Sequence, residues 1–208
     1  MRAVIFDLDG TLIDAAPDLA AKLNQVLATE GLAPLALAEV KTMIGDGAKI
    51  LVERGFAARG MDMQPRHLDL FLQIYPQDPI RHTVVYDGIM PVLEQLKAQG
   101  RRLGLCTNKP AAVTNAVLAS LRLTPFFEAV VAGDSTPYRK PDPRHLALTM
   151  AALEVTDAIM VGDHANDMKV AADLKLPSIF CRWGYGEGQG DANAASPWEL
   201  PEIIANLG

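Results

Sequence analysis

Short, uninterrupted apolar runs recur along the chain and predict buried β-strands. The first run, Val4 to Phe6, consists of β-branched and aromatic residues without a polar interruption, which is typical of a parallel strand buried on both faces. Four more runs of strand length follow it: Leu103 to Cys106, Ala129 to Ala132, Ala158 to Val161, and Ser178 to Cys181. The pattern therefore predicts a sheet whose strands are distributed over most of the chain.

Helical patterns separate these strands, and most of them begin near a proline, an aspartate or an asparagine. They cover Ile89 to Ala98, Ala111 to Leu121, Pro143 to Leu153, and Asn166 to Leu174. A last helix is expected over Trp198 to Leu207, after a glycine-rich loop from Trp183 to Gly190. Alternation of strand and helix predicts the α/β class, with a doubly wound, Rossmann-like parallel sheet as the body of the protein.

One long segment breaks this alternation, because it contains helical patterns with no strand between them. The patterns are Asp18 to Thr29, Leu37 to Met43, Ala48 to Gly60, and Pro65 to Arg81. We therefore expect an all-helical cap over residues 15–83, inserted into a catalytic core formed by residues 1–14 and 84–208. Pro17 and the turn Tyr86-Asp87-Gly88 lie near the two ends of the insertion and are expected to act as the hinges of a lid.

Composition limits the classes of function. The chain has 208 residues, of which 50% are hydrophobic and 21% are charged, as in a globular protein with room for one domain and an inserted subdomain. The net charge is −6 and no cluster of basic residues is longer than a pair such as Arg101-Arg102, which argues against nucleic acid as a partner. An anionic substrate would then need a locally positive pocket inside an acidic protein.

The sequence gives fewer indications of the cellular location and the oligomeric state. No apolar stretch reaches the roughly 18 residues of a membrane-spanning helix, so no membrane partner is expected. The chain opens directly into its first strand without a leader pattern, from which we expect a cytoplasmic protein. Cys106 and Cys181 are far apart and each ends an apolar run, which predicts buried, reduced thiols and neither a disulfide nor a zinc site. No pattern predicts an oligomeric state.

Candidate chemistry begins directly after the first strand, with Asp7-Leu8-Asp9-Gly10-Thr11. In open α/β sheets, ligands bind beyond the carboxyl ends of the strands. Two carboxylates held this close together repel each other unless one is protonated or a cation lies between them. The pair predicts a metal ion, a shared proton or both, although Asp-x-Asp-Gly is also found as a plain turn.

Polar groups suited to phosphate chemistry follow at three later places. Thr107-Asn108-Lys109 comes after the second strand, Lys140 lies in a loop stiffened by prolines, and Gly162 to Asp167 follows the fourth strand. Because Mg²⁺ prefers oxygen ligands, Asp7, Asp163 and Asp167 suit it better than they suit zinc.

Taken in order, four motifs resemble those of the haloacid-dehalogenase superfamily of phosphotransferases. They are Asp7-Leu8-Asp9-Gly10-Thr11, Thr107-Asn108-Lys109, Arg139-Lys140-Pro141, and Gly162-Asp163 to Asp167, and they cover nearly the whole chain. Within the superfamily, the sequence is similar to the phosphoglycolate phosphatases with a helical cap. That likeness depends on three segments: Ile44-Gly45-Asp46-Gly47-Ala48 with Leu51-Val52-Glu53-Arg54, the Thr-Asn-Lys motif, and Gly184-Tyr185-Gly186.

The resemblance implies a covalent mechanism that uses the first two aspartates. Asp7 would be the nucleophile that attacks phosphorus and forms an aspartyl-phosphate, which water then hydrolyses. Asp9 would protonate the leaving alkoxide and afterwards deprotonate the water.

The resemblance also implies the residues that bind phosphate and metal. Thr107, Asn108 and Lys140 would surround the phosphoryl oxygens, where positioning and charge stabilisation supply most of the catalysis. The Mg²⁺ ligands implied are the side chains of Asp7 and Asp163, the carbonyl of Asp9, and Asp167 through water.

Four further residues carry alternatives. The loop at Gly45 and Gly47 is either an ordinary connection or a segment that covers the active site and contacts the non-phosphate end of the substrate. Lys49 and Arg54 are candidates for binding a second negative charge, although such side chains are usually solvated.

Two side chains near the motifs are given structural interpretations. Lys109 is interpreted as a surface residue. His164 occupies a position where the family usually has a small residue, and its imidazole is expected to turn aside from the metal and bond the loop. Oxygen ligands are already sufficient for Mg²⁺.

The favoured function is Mg²⁺-dependent hydrolysis of a small phosphorylated organic acid, with 2-phosphoglycolate as the leading substrate. One alternative is a phosphatase of another small phosphomonoester or of pyrophosphate. A second is a phosphosugar mutase similar to β-phosphoglucomutase, which would use the same Asp7 and Asp9. A non-catalytic binding module and a true haloalkanoate dehalogenase are disfavoured, because the four motifs are intact and Asp9 is present.

Overall fold

The computed structural model describes residues 1–208 and contains eight strands and nine α-helices. In chain order, they are β1 (Ala3–Phe6), β2 (Ile13–Asp14), α1 (Ala16–Ala28), α2 (Leu37–Lys41), α3 (Ala48–Ala57), α4 (Pro65–Ile74), β3 (Val84–Val85), α5 (Ile89–Ala98), β4 (Leu103–Cys106), α6 (Ala111–Ser120), β5 (Ala129–Val131), α7 (Pro143–Ala152), β6 (Ala158–Gly162), α8 (Ala165–Asp173), β7 (Ser178–Cys181), β8 (Ala192–Ala194) and α9 (Leu200–Leu207).

Six of the strands form one parallel sheet in the order β5-β4-β1-β6-β7-β8. All residues of β1, β4 and β6 are buried, as expected for apolar strands covered on both faces. The register pairs Val4 with Leu103 on one side and with Ile159 on the other. The predicted doubly wound α/β sheet is confirmed, and the strand order reverses at β1, where such folds place their ligands.

The apolar pattern predicted the positions of the long elements better than their ends. Helix α4 ends at Ile74 instead of Arg81, because Pro76 and Pro79 have no N–H to continue the helical hydrogen bonds. Helix α9 begins at Leu200, two residues later than expected, after a short 3₁₀ turn over Pro197–Glu199. Strand β8 was not predicted, because its sequence Ala-Asn-Ala has no apolar run.

Helices α1 to α4 pack against one another between β2 and β3 and form the cap. Its interior contains Phe56, Phe71 and Tyr75, all fully buried. At the end of the cap, the buried Asp18 carboxylate accepts hydrogen bonds from the N–H groups of His82 and Thr83 and from the Thr83 hydroxyl, at 2.7 to 3.0 Å. The chain is thereby fixed where it returns to the sheet, while the proposed division at residues 15–83 stays a prediction.

Both connections between the cap and the sheet run through a short antiparallel ribbon. Its two strands, β2 and β3, pair Ile13 with Val85 and Asp14 with Val84. The hydroxyl of Tyr185, from the loop after β7, donates to Asp14 Oδ1 at 2.7 Å and accepts from the N–H of Ala15 at 2.7 Å. The ribbon is therefore attached to the same loop that borders the carboxylates described below.

Two further expectations concern membrane-spanning helices and the state of the two cysteines. None of the helices combines the length and the apolar character that crossing a bilayer requires. Cys106 and Cys181 are buried and unpaired, as predicted. Burial raises the pKa of the Cys106 thiol to about 12, so this thiol is neutral.

Candidate active site

The site residues lie where three neighbouring strands end. Asp7 follows β1, Thr107 follows β4, and Asp163 follows β6. Backbone hydrogen bonds extend the sheet by one residue at two of these points, from Asp7 N–H to Val161 at 2.9 Å and from Thr107 N–H to Val131 at 3.0 Å. Because these strands are parallel neighbours, their carboxyl ends bring the predicted motifs together at one edge.

Three buried carboxylates converge at this edge. Asp7, Asp163 and Asp167 each offer an oxygen, and these oxygens lie within 4.8 Å of one another. Thr11 Oγ1 donates to Asp163 Oδ1 at 3.0 Å, and the Tyr185 N–H donates to Asp163 Oδ2 at 2.8 Å. Burial and the charges of Asp7 and Asp167 raise the pKa of Asp163 to about 8. A cation between the three carboxylates would relieve this repulsion, so the cluster fits a metal ion.

Two glycines allow the backbone to approach Asp163. Gly10 has a φ of +86°, which L side chains rarely adopt, and a Cβ there would overlap the Asp163 carboxylate. A Cβ on Gly184 would overlap the same carboxylate from the loop after β7. The Gly184-Tyr185-Gly186 segment of the sequence thus has a steric role at the carboxylate cluster.

Lys140 neutralises one side of the cluster. Its buried ammonium contacts Asp7 Oδ1 at 2.8 Å and Asp167 Oδ1 at 2.6 Å. Burial alone would lower the pKa of Lys140, but the charges of Asp167 and Asp7 raise it above its ordinary value. Asp167 Oδ2 also accepts a hydrogen bond from the His164 N–H at 3.0 Å. Asp167 therefore both caps α8 and orients Lys140.

Lys109 is buried, so its interpretation as a surface residue is wrong. Its ammonium donates to Asp9 Oδ1 at 2.9 Å, to Asp9 Oδ2 at 3.1 Å and to the hydroxyl of Tyr75 at 2.5 Å. Tyr75, at the end of α4 in the cap, covers Lys109, and Asp9 balances its charge. Burial raises the pKa of Asp9 above its ordinary value, although Lys109 acts in the opposite direction.

Several hydrogen-bond donors beside the cavity that Asp7 lines are unused. The N–H groups of Leu8, Asp9 and Asn108 donate to no protein acceptor. Thr107 Oγ1 accepts from the Lys109 N–H at 3.2 Å, and its own hydrogen has no acceptor. Such converging donors form a cradle for an anion with several oxygens, such as a phosphoryl group.

The side chain of Asn108 joins three segments of the chain. Its Nδ2 donates to the carbonyl of Gly45 at 3.0 Å and to that of Lys140 at 2.9 Å, while its Oδ1 accepts from the Lys140 N–H at 2.9 Å. The amide is fully engaged, so it acts as a clamp that positions Lys140 beneath the cap loop. Any contact with an anion is left to the backbone N–H of Asn108.

The cap closes the site on its outer side. The lining is polar at the base and apolar above, and it consists of Asp7, Asp9, Leu19, Ile44, Gly45, Gly47, Ala48, Leu51, Phe71, Tyr75, Thr107, Asn108, Lys109 and Pro110. The cavity is small, with a volume of about 30 Å³. We therefore expect the cap to move when a phosphate ester enters.

Lys49 and Arg54 do not line this cavity and are paired elsewhere. Lys49 lies 3.5 Å from Glu53, and Arg54 lies 2.6 Å from Asp46, with both basic side chains largely exposed. His164, as predicted, bonds its own loop, since its Nδ1 accepts from the Asn166 N–H at 3.3 Å.

Comparisons with known proteins find a matching family and similar sequences. The model of the haloacid dehalogenase-like hydrolase family matches residues 4–181. A phosphoglycolate phosphatase from Caulobacter vibrioides is 41% identical over 190 residues, which cover 88% of this chain and 80% of the relative. Another phosphoglycolate phosphatase, from Cereibacter sphaeroides, is 43% identical over 189 residues, with 89% and 87% of the two chains covered.

A solved structure extends the likeness to the fold. The crystal structure of a predicted phosphoglycolate phosphatase from Haemophilus somnus superposes with a TM-score of 0.91 at 25% identity. The match covers 98% of each chain, and therefore includes both the sheet and the cap.

Proposed function

This chain belongs to the haloacid dehalogenase-like hydrolase family, and we propose that it hydrolyses 2-phosphoglycolate to glycolate and phosphate with the help of Mg²⁺. The observation that carries the proposal is the convergence of Asp7, Asp9, Lys140 and Asp163 around a cradle of unused donors. Relatives about 40% identical that are named phosphoglycolate phosphatase support the choice of substrate. The expected cytoplasmic location and lack of a nucleic-acid partner stay predictions.

The charges at the site favour a divalent cation. Four carboxylates, those of Asp7, Asp9, Asp163 and Asp167, face only two ammonium groups, those of Lys109 and Lys140. Oxygen donors in this number suit Mg²⁺. We propose that Asp7, Asp163, the carbonyl of Asp9 and, through water, Asp167 hold it. When bound, Mg²⁺ supplies positive charge that reduces repulsion between a carboxylate and a phosphate.

Asp7 is the proposed nucleophile because one of its oxygens is free. Lys140 contacts Oδ1, whereas Oδ2 accepts no hydrogen bond from the protein. This oxygen would form a bond to phosphorus while the bond from phosphorus to the ester oxygen breaks. Lys140, the Thr107 hydroxyl and the unused N–H groups would stabilise the phosphoryl oxygens as the charge shifts among them.

Asp9 is the proposed proton carrier. Its raised pKa favours the protonated carboxyl that the leaving alkoxide requires, and the resulting carboxylate can then take a proton from the attacking water. Lys109 holds this carboxyl from the side of the cap. The two neighbouring aspartates thus have separate tasks, a covalent bond for Asp7 and a proton for Asp9.

Replacement of the nucleophile tests the proposal. Asp7→Asn should lower kcat for release of phosphate from 2-phosphoglycolate by at least about 10³-fold, because an amide oxygen is a poor nucleophile. Circular dichroism and the melting temperature should show that the fold is retained. The exposed Asp62, changed to Asn, is a matched control that should keep normal turnover.

A substrate panel with Mg²⁺ tests the choice of ester. We expect kcat/KM to be higher for 2-phosphoglycolate than for sugar phosphates, nucleotides or pyrophosphate. A higher value for one of the others would contradict the proposed substrate, whereas normal turnover by Asp7→Asn would contradict the mechanism.

A further inference from the structure

The proposed substrate carries two anionic groups, and the site must bind both. In 2-phosphoglycolate, a single methylene separates the carboxylate from the ester oxygen. When the phosphate lies at Asp7, the carboxylate must therefore lie within the cavity beneath the cap. Burial of an unpaired carboxylate is costly, so a cation or several donors are needed there.

Only one cation lines that cavity. It is Lys109, whose ammonium projects between Asp9 and the cap. Lys140 contacts Asp7 and Asp167 and is absent from the lining. Lys49 and Arg54, both in α3, are likewise absent from it.

Tyr75 supplies a second donor beside Lys109. Its hydroxyl oxygen accepts from the Lys109 ammonium at 2.5 Å, while its own hydrogen has no acceptor among the protein groups. The phenol is neutral, and its ring is fully buried against Phe71 at a centroid distance of 5.4 Å. An unused O–H and an ammonium that face one cavity are suited to the two oxygens of a carboxylate.

The apolar surroundings strengthen hydrogen bonds from Lys109 and Tyr75. Leu19, Leu51 and Phe71 form an apolar wall of the cavity. Hydrogen bonds to charged groups contribute more in such surroundings than on an exposed surface. The same wall disfavours an ester whose far end carries several hydroxyl groups, since these groups would find few partners.

We propose that Lys109 and Tyr75 together bind the carboxylate of the substrate and are the residues that select a small phosphorylated acid. An ammonium has three donors, so Lys109 can keep one hydrogen bond to Asp9 while it contacts the carboxylate. This inference rests on the proposed function and adds to it the residues that distinguish the substrate. Because Tyr75 belongs to the cap, selection occurs when the cap is closed.

The test compares two esters that differ in the carboxylate. Ethyl phosphate has a methyl group where 2-phosphoglycolate has its carboxylate, so the ratio of their kcat/KM values measures recognition of that group. Lys109→Met should lower this ratio by about 10- to 100-fold, as expected when a hydrogen bond to a charged group is lost. Tyr75→Phe keeps the ring and should lower the ratio by about 3- to 10-fold.

Lys49→Met is the matched control, because this exposed lysine pairs with Glu53 outside the cavity. It should leave the ratio unchanged. Circular dichroism shows whether each variant folds. If Lys109→Met does not fold, the ratio measured for Tyr75→Phe tests the proposal on its own.

Two other outcomes would overturn the inference in distinguishable ways. If the wild-type protein prefers 2-phosphoglycolate but the substitutions reduce turnover of both esters equally, Lys109 acts on Asp9 alone and does not select the substrate. If the wild-type ratio is close to one, both the inference and the proposed substrate are wrong.

Discussion

The carboxylate of Asp163 is buried beside two other carboxylates and contacts no lysine. Its pKa of about 8 in the folded protein without a bound cation exceeds its ordinary value of 3.8. Between these two values, the folded state binds a proton that the unfolded chain has released. The stability of the metal-free protein should therefore fall as the pH rises through this window.

Urea unfolding in the presence of a chelator measures this effect. For the wild-type protein, the free energy of unfolding should decrease between about pH 5 and about pH 8. Asp163→Asn removes the titrating group and should weaken this dependence, whereas Asp62→Asn should preserve it. An unchanged pH dependence in Asp163→Asn would show that Asp163 is not the group responsible.

At the scale of single residues, sequence predicted the converging groups but not all their surroundings. Asp7, Thr107 and Asp163 could be placed together because each follows an apolar strand of the same sheet. The burial of Lys109 depends on Tyr75, a residue of the cap that no local pattern relates to it. The only indication in the sequence that Lys109 belongs to the site was its position directly after Thr107 and Asn108.

At the scale of elements, side-chain hydrogen bonds join the loop before α3 to the core at two points. Asn108 Nδ2 donates to the Gly45 carbonyl at 3.0 Å, and Asn166 Nδ2, at the start of α8, donates to Asp46 Oδ1 at 2.6 Å. Arg54 also contacts Asp46, so the loop is tied to α3 as well. If the cap opens when a substrate enters, as we propose, these contacts must break.

The substitution Asn166→Ala tests this contact without changing a group that faces the phosphate. Loss of a hydrogen bond to a charged group should weaken the closed state and lower kcat/KM by about 10-fold. The melting temperature should change little, because one partly buried polar contact is lost and the hydrophobic cluster is unchanged. Asn115→Ala, on the exposed face of α6, is the control and should retain full activity. Unaltered kinetics in Asn166→Ala would mean that closure does not depend on this bond.

Elements with a strong apolar pattern could be predicted, and those that depend on tertiary contacts could not. All strands of the six-stranded sheet except β8 appear in the sequence as runs of apolar residues. By contrast, β2 and β3 have two residues each and exist because they pair with each other. Strand β8 is an edge strand that pairs only with β7, so its residues need not be apolar.

At the scale of the whole molecule, a metal ion bound by the carboxylates of the site would couple metal binding to folding. The chain has a net charge of −6, and part of its acidic excess is buried at the end of the sheet. A cation that binds the folded state and not the unfolded chain shifts the equilibrium towards folding. The site therefore connects the stability of the sheet with the supply of metal.

Titration with Mg²⁺ measures this coupling. The melting temperature at pH 8 should rise as MgCl₂ is added to chelator-treated protein, and phosphatase activity should return over the same range of concentration. NaCl at equal ionic strength should produce neither effect, and Asp163→Asn should show a reduced rise. Full activity in an excess of chelator would contradict the proposed requirement for metal.

The ribbon of β2 and β3 brings both connections of the cap to one place. The chain leaves the ribbon for the cap at Asp14 and returns to it at Val84, two residues that pair with each other. A helical segment whose ends fit this ladder, and which keeps the contacts to Asn108 and Lys109, could be inserted without changing the register of the sheet. Recombination between homologous genes, or a designed graft at these two points, could therefore alter the range of esters accepted and leave the phosphoryl-transfer chemistry intact.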